Sequence, residues 1–289
     1  MTIASMEGFG NGFVDRQYPM SENGVAGLRG FYFGYGNGGS LTDNHLQMIM
    51  AIPGGNVTDL TPTADLAPTI SPAGRAELGY RDHDHGSSRD RYFYSMAHSM
   101  LSSSQARRFT VRDLGDSGTV TRPLPAALFP VIPGIAEPII ALAGFKLHFT
   151  GNRDHHIDEI TVMINDDRTY TIGFNDKNDD DVFAYEIHFV RIGSFFSTLL
   201  PGEMSGRAKG FSRIPHRLNT NMDFVLRGFS FNFVNADHHI REIGILIQGP
   251  RISVIYGDIN GDDPFDFKVK WVEVGPRILA PIGGLATVG

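Results

Sequence analysis

The chain has 289 residues, which is enough for one large all-β domain or two smaller ones with a sizeable core. Its formal charge is -7 with acidic and basic residues interspersed, so we expect neither a nucleic-acid partner nor attachment to a membrane surface through a polybasic run. It has no cysteine, which excludes disulfides and thiolate metal sites.

The N-terminal residues 1–27 mix glycine, asparagine and isolated aromatic residues, a composition typical of an extended arm lying on the body or on a neighbour. Residues 1–17 contain no basic region followed by an apolar core, so no classical signal peptide is predicted. No apolar run reaches the roughly 18 to 20 residues of a membrane helix. We therefore expect a soluble chain without a membrane span. The sequence does not fix its compartment, and an extracellular or particle-associated location reached by a signal-free route is left open.

A degenerate first repeat is predicted over residues 28–101. It begins with alternating apolar residues at Phe31, Phe33 and Tyr35, and residues 53–74 interrupt it as a loop insertion. A proline-rich connector, residues 102–141, follows it. Four prolines within its apolar part argue against a helix or a central strand there, so we expect this part to pack between repeats or to cover a subunit contact.

Two clear repeats occupy residues 142–192 and 226–274. Both contain G-F-x-[LF]-x-F, then D-H-H-I-x-E-I, then D-x-N-x-D-D followed by alternating apolar residues. Alternation with period two indicates strands that bury one face, and the short polar stretches between them are typical of hairpin turns. Residues 193–225 are predicted to be a linker loop, and residues 275–289 form an apolar, glycine-rich tail.

These patterns predict an all-β fold. Each repeat should be a four-stranded antiparallel meander with long loops, and the three repeats should form a pseudo-threefold prism or packed sandwiches. In strand count the repeats resemble three-sheet lectin-like prisms, a likeness of architecture alone. Trp271 matches Phe189 in the alternation and is expected in the core.

The Asp-His-His stretch is the first candidate site. A pseudo-threefold axis would bring His45, His156 and His239 together, and imidazole with carboxylate suits a transition metal. The alternative is structural: aspartate caps a turn and histidine bonds a backbone group. If Ile157 and Ile160 both point inward, a bulge must lie between them. The candidate metal ligands are His45, His156, His239, Asp154 and Asp237.

The acidic hairpins are the second candidate site, since alternating Asp and Asn oxygens are what a calcium loop supplies. The bidentate glutamate of an EF-hand is missing, because that position holds Ile187 or Val269, so Glu159 and Glu242 would have to complete a Ca2+ site. The alternative is an Asx-rich turn at a sheet tip. The candidate ligands are Asp176, Asn178, Asp180, Asp258, Asn260 and Asp262.

Three functions fit these patterns. The first is a non-enzymatic β-repeat structural or assembly protein that packs into a homo-oligomer or with a partner protein in a larger particle or surface structure. The second is a carbohydrate-binding lectin or adhesin that uses Ca2+ at the acidic hairpins. The third is a metal-dependent enzyme with a histidine cluster. We favour the first, because apolar ends and a proline-rich apolar connector need no active site.

Overall fold

The structure, a computed structural model, consists almost entirely of β-strands. It describes residues 2–17, 24–35, 46–61, 69, 72–82, 91–103, 106–116, 118–151, 156–177, 182–193, 197–209, 212–217, 222–233, 240–248, 251–258 and 264–276. These residues form eighteen strands and one 3-10 turn, Ala126–Leu128. None of them belongs to a helix long and apolar enough to cross a membrane.

The strands bury alternate side chains, as their sequences predict; in the sixth, for example, Tyr92, Tyr94 and Met96 are buried while Phe93 and Ser95 are partly exposed. In chain order the strands are β1 (Thr2–Gln17), β2 (Gly24–Tyr35), β3 (Leu46–Pro53), β4 (Thr58–Asp59), β5 (Arg75–Asp82), β6 (Arg91–Ser102), β7 (Ala106–Gly115), β8 (Val120–Pro123), β9 (Ile139–Phe149), β10 (Ile157–Ile164), β11 (Thr169–Asp176), β12 (Phe183–Ile192), β13 (Ser197–Lys209), β14 (Ser212–Arg217), β15 (Asp223–Phe233), β16 (Ile240–Gln248), β17 (Arg251–Asp258) and β18 (Pro264–Pro276).

The three repeats exchange strands in a closed cycle. Within a repeat the first strand pairs with the fourth, as in β2 with β6, β9 with β12 and β15 with β18. The second pairs with the third, as in β3 with β5, β10 with β11 and β16 with β17. Each inner pair then joins the outer pair of another repeat, through β3 with β9, β10 with β15 and β16 with β2. The predicted all-β fold of three antiparallel repeats is confirmed, and it has the prism arrangement.

This pairing differs from a meander in which every strand bonds to the next one along the chain. The first and second strands of a repeat lie in different sheets, so the chain crosses between sheets after Tyr35, Phe149 and Phe233. Alternation marks which side chains are buried but does not specify the hydrogen-bonding partner, so the sequence pattern is the same for both arrangements.

Six further strands extend the three sheets. Sheet A has the order β14-β17-β16-β2-β6-β1, sheet B has β5-β3-β9-β12-β7-β4, and sheet C has β13-β18-β15-β10-β11-β8. Residues 2–11 of β1 pair with β6 of sheet A, and residues 12–17 pair with β5 of sheet B. The N-terminal arm therefore lies on the body and joins two sheets through hydrogen bonds.

Parts of the predicted connector and linker are strands at or next to a sheet edge: β8, β13 and β14 end their sheets, and β7 is covered at its outer edge only by the two residues of β4. β7 and β8 lie within residues 102–141, and β13 and β14 lie within residues 193–225. The linker segments carry charges and proline, as in Glu203, Arg207 and Pro215. Edge strands tolerate such residues because one backbone edge and one face remain in water, which makes them look like loops in the sequence.

The core lies on the pseudo-threefold axis between the three sheets. Phe31, Phe145 and Phe229 occupy equivalent positions in the repeats and are all 0% exposed. Their ring centroids form a nearly equilateral triangle, with distances of 5.1, 4.9 and 5.0 Å. Trp271 is also buried in this core, as predicted.

Two backbone features recur with the repeats. A bulge separates Ile157 from Glu159, and both Ile157 and Ile160 are buried, which confirms the predicted bulge. The glycine before each axial phenylalanine allows two strands to approach closely. A Cβ on Gly144 would lie 2.5 Å from the carbonyl oxygen of Ala51, so no larger residue fits there without displacing β3.

Candidate functional site

The strand ends that flank the predicted metal and calcium stretches all lie at one end of the prism. The first and third strands of every repeat end there and the second and fourth begin there, because the neighbours are antiparallel. Of the candidate ligands, His156, Asp176 and Asp258 belong to the described part of the chain. The others lie outside the described residues: His45, Asp154, Asn178, Asp180, Asp237, His239, Asn260 and Asp262.

Asp176 holds the backbone at this end of the second repeat. Its side chain is 3% exposed, and its Oδ1 accepts the backbone N–H of His156 at 3.0 Å. The backbone N–H of Lys177 in turn donates to the carbonyl oxygen of His156 at 2.8 Å. This geometry supports the turn interpretation for Asp176, because one carboxylate oxygen already serves the backbone.

The same backbone position recurs in all three repeats. Asp176 pairs with Ile157, Asp258 with Ile240 and Asp82 with Leu46, and a register shift follows each pair. An aspartate thus ends every third strand opposite the first residue of the second strand. An aspartate at the same bulge in every repeat is expected if the backbone needs that side chain there for its structure.

The glutamates considered as additional calcium ligands are engaged by side chains on the outer sheet faces. Glu159 Oε2 accepts from Thr119 Oγ1 at 2.7 Å and from Asn175 Nδ2 at 3.0 Å. Glu242 Oε2 accepts from the Tyr32 hydroxyl at 2.7 Å. Among the described residues, no three His, Asp or Glu side chains stand close enough together to hold a metal ion.

Replacing Asp176 by alanine is expected to lower the free energy of unfolding by about 1–3 kcal/mol, because the partly buried N–H of His156 loses its acceptor. The loss should be the same in calcium and in a chelator. Urea unfolding of the wild type and of Asp176→Asn provides the control, since asparagine keeps an oxygen acceptor but weakens a calcium site. A calcium-dependent stability that Asp176→Asn abolishes would contradict the turn interpretation.

A buried polar cluster lies on the outer face of sheet B and was not predicted from the sequence. It consists of Glu186 and His188 on β12 and Arg108 and Arg112 on β7. Arg108 donates to the carbonyl oxygens of residues 53, 54 and 55 at 2.7, 2.7 and 2.9 Å, and Arg112 Nη2 pairs with Asp59 Oδ2 at 2.9 Å. The cluster therefore fastens part of the predicted loop insertion onto the sheet.

Glu186 and His188 form a hydrogen bond between a carboxylate and a fully buried imidazole, with Nε2 2.7 Å from Oε1. Burial lowers the pKa of His188 despite this bond. Burial tends to raise the pKa of Glu186, but hydrogen bonds from His188 and Thr69 outweigh it, so that pKa is lowered. His188 is 0% exposed, and the pair has no open space for a substrate.

These four side chains occupy outward positions of their strands, alternating with core residues such as Tyr185 and Ile187. Outward polar residues usually face water, so the sequence pattern indicates a solvated face. The feature of the sequence that could have predicted the cluster is the number of charged residues on β7 and β12. It predicts a cluster only when the pairing of these two strands is known.

The apolar turn, residues 130–137, projects from the proline-rich connector. All eight residues are exposed, including Val131 at 95%, Ile132 at 51% and Ile135 at 37%. The N–H of Ile135 donates to the carbonyl oxygen of Ile132 at 3.1 Å, and Gly134 has φ 76°, which gives a tight turn with proline and glycine at its centre. An ion pair between Glu137 and Arg168 fixes the end of this segment.

A cavity of about 250 Å³ separates the apolar turn from two arginines. Arg107 and Arg191 line it together with Ile132 and Ile135, and no described carboxylate forms an ion pair with either arginine. Burial, then repulsion from Arg107, lowers the pKa of Arg191. The site thus combines an apolar wall with two cations that are not neutralised by described residues.

The sequence matches no protein-family model, and comparison with curated proteins finds no similar chain. The function is therefore inferred from the geometry of the described residues.

Proposed function

We propose that this chain is a non-enzymatic β-repeat protein whose role is to assemble with further copies of itself. The observation that carries this proposal is the apolar turn, which displays Val131, Ile132 and Ile135 to water on a short, hydrogen-bonded segment. Single exposed apolar residues are ordinary, but three grouped aliphatic side chains are typical of a contact surface.

The apolar turn is preorganised for contact. Leu128, at its base, is fully buried, and the guanidinium of Arg168 lies 5.0 Å from the ring centre of Phe129. A segment already fixed in one conformation loses little entropy when a partner covers it. Burying the almost fully exposed Val131 would contribute roughly 1.5–3 kcal/mol, and Ile132 and Ile135, which are already about half buried or more, would each contribute less.

Charge favours a second copy as the partner. The cavity beside the turn presents Arg107 and Arg191, and the chain as a whole carries a formal charge of -7. A surface carboxylate of another copy would neutralise these cations while the aliphatic side chains become buried. Charge complementarity of this kind selects the partner and its orientation.

Replacing Ile132 by aspartate is expected to weaken self-association by roughly tenfold or more, because a charge then stands where an apolar contact forms. Sedimentation velocity over a range of concentrations measures this. Leu114→Asp is the matched control, since Leu114 is 47% exposed on β7, outside the apolar turn, and should leave association unchanged. A wild-type chain that remains monomeric at high concentration would refute the proposal.

The calcium-dependent lectin and the metal-dependent enzyme remain predictions. Both depend mainly on candidate ligands outside the described residues. Elemental analysis of the purified protein, combined with melting curves in chelator and in calcium, tests both.

A further inference from the structure

The outer face of sheet A carries a row of aromatic side chains from three strands. Phe9 of β1, Phe93 of β6 and Tyr32 of β2 lie side by side, with ring centroids 5.5 Å apart for Phe9 and Phe93 and 6.0 Å apart for Phe93 and Tyr32. Phe9 is 51% exposed, and the other two are partly exposed. The guanidinium of Arg91 lies 4.4 Å from the ring centre of Phe9 and covers part of that ring. Three neighbouring aromatic side chains that all keep exposed surface still indicate a binding surface.

The ring of Tyr32 lies along its own strand. A Cβ on Gly34, two residues further on, would contact the Tyr32 hydroxyl, so the side chain extends over that glycine. The hydroxyl donates to Glu242 Oε2 at 2.7 Å, which fixes the ring in this position. The ring therefore offers a face to solvent, with a carboxylate at its polar end.

A groove of about 470 Å³ lies next to this row, lined by Glu7 and Ser95, which are each two positions from a phenylalanine of the row. Its lining includes small residues such as Ser95, and Ser5 and Ala97, which pair across β1 and β6. Glu7 stands at its rim, directly opposite Ser95, which in turn pairs with Tyr32. Among the described residues Glu7 is exposed and has no ion-pair partner.

The aromatic row next to a groove and an exposed carboxylate is found on sheet A and not at the equivalent described positions of sheets B and C. The positions equivalent to Tyr32 in the second and third repeats are Lys146 and Ser230. The outer face of sheet B is partly covered by residues 53–61 through the buried polar cluster. On sheet C, Ser230 hydrogen-bonds to Thr161 at 2.7 Å within a network of hydroxyl groups.

We propose that this face of sheet A binds an oligosaccharide of linked pyranose units. A pyranose has C–H faces that pack on aromatic rings and equatorial hydroxyls that bond to carboxylates and serines. The aromatic row and the groove next to it present these two kinds of group on one face of the sheet. The groove is lined by the apolar residues Ile3, Met6, Leu246 and Ile247 and also by Ser5, Ser95, Glu7 and Arg29. This share of polar and charged groups suits a polyhydroxylated ligand better than a protein partner. The proposal is independent of self-assembly through the apolar turn.

The test is isothermal titration calorimetry of the full chain with cellohexaose, maltohexaose and chitohexaose. At least one hexasaccharide should bind, and it should bind more tightly than its monosaccharide. Phe93→Ala should weaken that binding by about tenfold, the loss expected for one stacked ring. Ser230→Ala, at the position on sheet C equivalent to Tyr32, should bind like the wild type.

Two further variants keep the result interpretable if Phe93→Ala is poorly folded. Tyr32→Phe keeps the ring and removes the hydrogen bond to Glu242, and Glu7→Gln keeps the shape and removes the charge, so each should weaken binding by a few-fold. Absence of heat with all three hexasaccharides, or equal binding by every variant, would overturn the proposal. Sedimentation of the same variants should match that of the wild type, which separates this outcome from a failure of the assembly proposal.

Discussion

Replacing Phe145 by alanine is expected to lower the free energy of unfolding by about 3–5 kcal/mol. Its ring is 0% exposed and contacts Phe31 and Phe229 with centroid distances of 5.1 and 5.0 Å. The substitution leaves a cavity at the point where all three sheets meet. The surrounding strands cannot collapse into this space, because Gly144 already brings β9 within contact of β3.

Urea unfolding, followed by far-ultraviolet circular dichroism, measures this loss. Phe13→Ala is the matched control: Phe13 is 55% exposed on β1, so its removal should change the free energy of unfolding by less than about 1 kcal/mol. Equal losses for the two variants would show that the aromatic triangle does not hold the prism together. Phe31→Ala and Phe229→Ala should resemble Phe145→Ala, since the three positions are equivalent.

Lowering the pH from 7 to 5 is expected to destabilise the protein through its buried histidines. His98 is 0% exposed, and its Nε2 donates to the carbonyl oxygen of Ala143 at 3.0 Å. Burial lowers the pKa of His98 to about 3, although the bond to Ala143 opposes the shift. In the unfolded chain the pKa of histidine is about 6.5, so only the unfolded state takes up this proton in that pH range.

The contribution of His98 is therefore fully present above pH 6.5 and is lost as the pH falls from there toward 3. At pH 5 the loss from His98 alone is about 2 kcal/mol. His188, whose pKa is also lowered, acts in the same direction. The urea midpoint, measured between pH 7 and 5, should therefore fall less steeply for His98→Gln than for the wild type. Parallel slopes would refute the assignment of a neutral buried imidazole.

Much of the fold could be predicted because repetition and alternation are local properties of the sequence. The paired appearance of Gly144 with Phe145 and of Gly228 with Phe229 marks equivalent positions, and the spacing of Ile157 and Ile160 requires a bulge. The choice of sheet partners could not be predicted in the same way. Whether β10 joins β9 or β15 depends on packing around the axis, to which every repeat contributes the same pattern.

The candidate surfaces could be predicted less well than the fold. Repeated aspartates such as Asp176 stand out in a sequence, yet the described geometry of Asp176 supports a role in the backbone turn. The aromatic row was missed because Phe9, Tyr32 and Phe93 are far apart in the chain and only the pairing of β1, β6 and β2 makes them neighbours. The proline-rich connector is predicted to pack between repeats or to cover a subunit contact, and in the structure it exposes Val131 to solvent.

The closed exchange of strands also fixes how many repeats the protein can contain. In open repeat arrays each unit contacts only the units before and after it, so evolution can add or remove one without breaking the rest. Here the inner hairpin β16–β17 of the last repeat completes a sheet begun by β2 of the first, so removal of any repeat leaves the other two with unpaired edges. A gene for one repeat alone would yield a folded product only if three separate copies met, and fusion of three such genes would convert that trimer into a single chain.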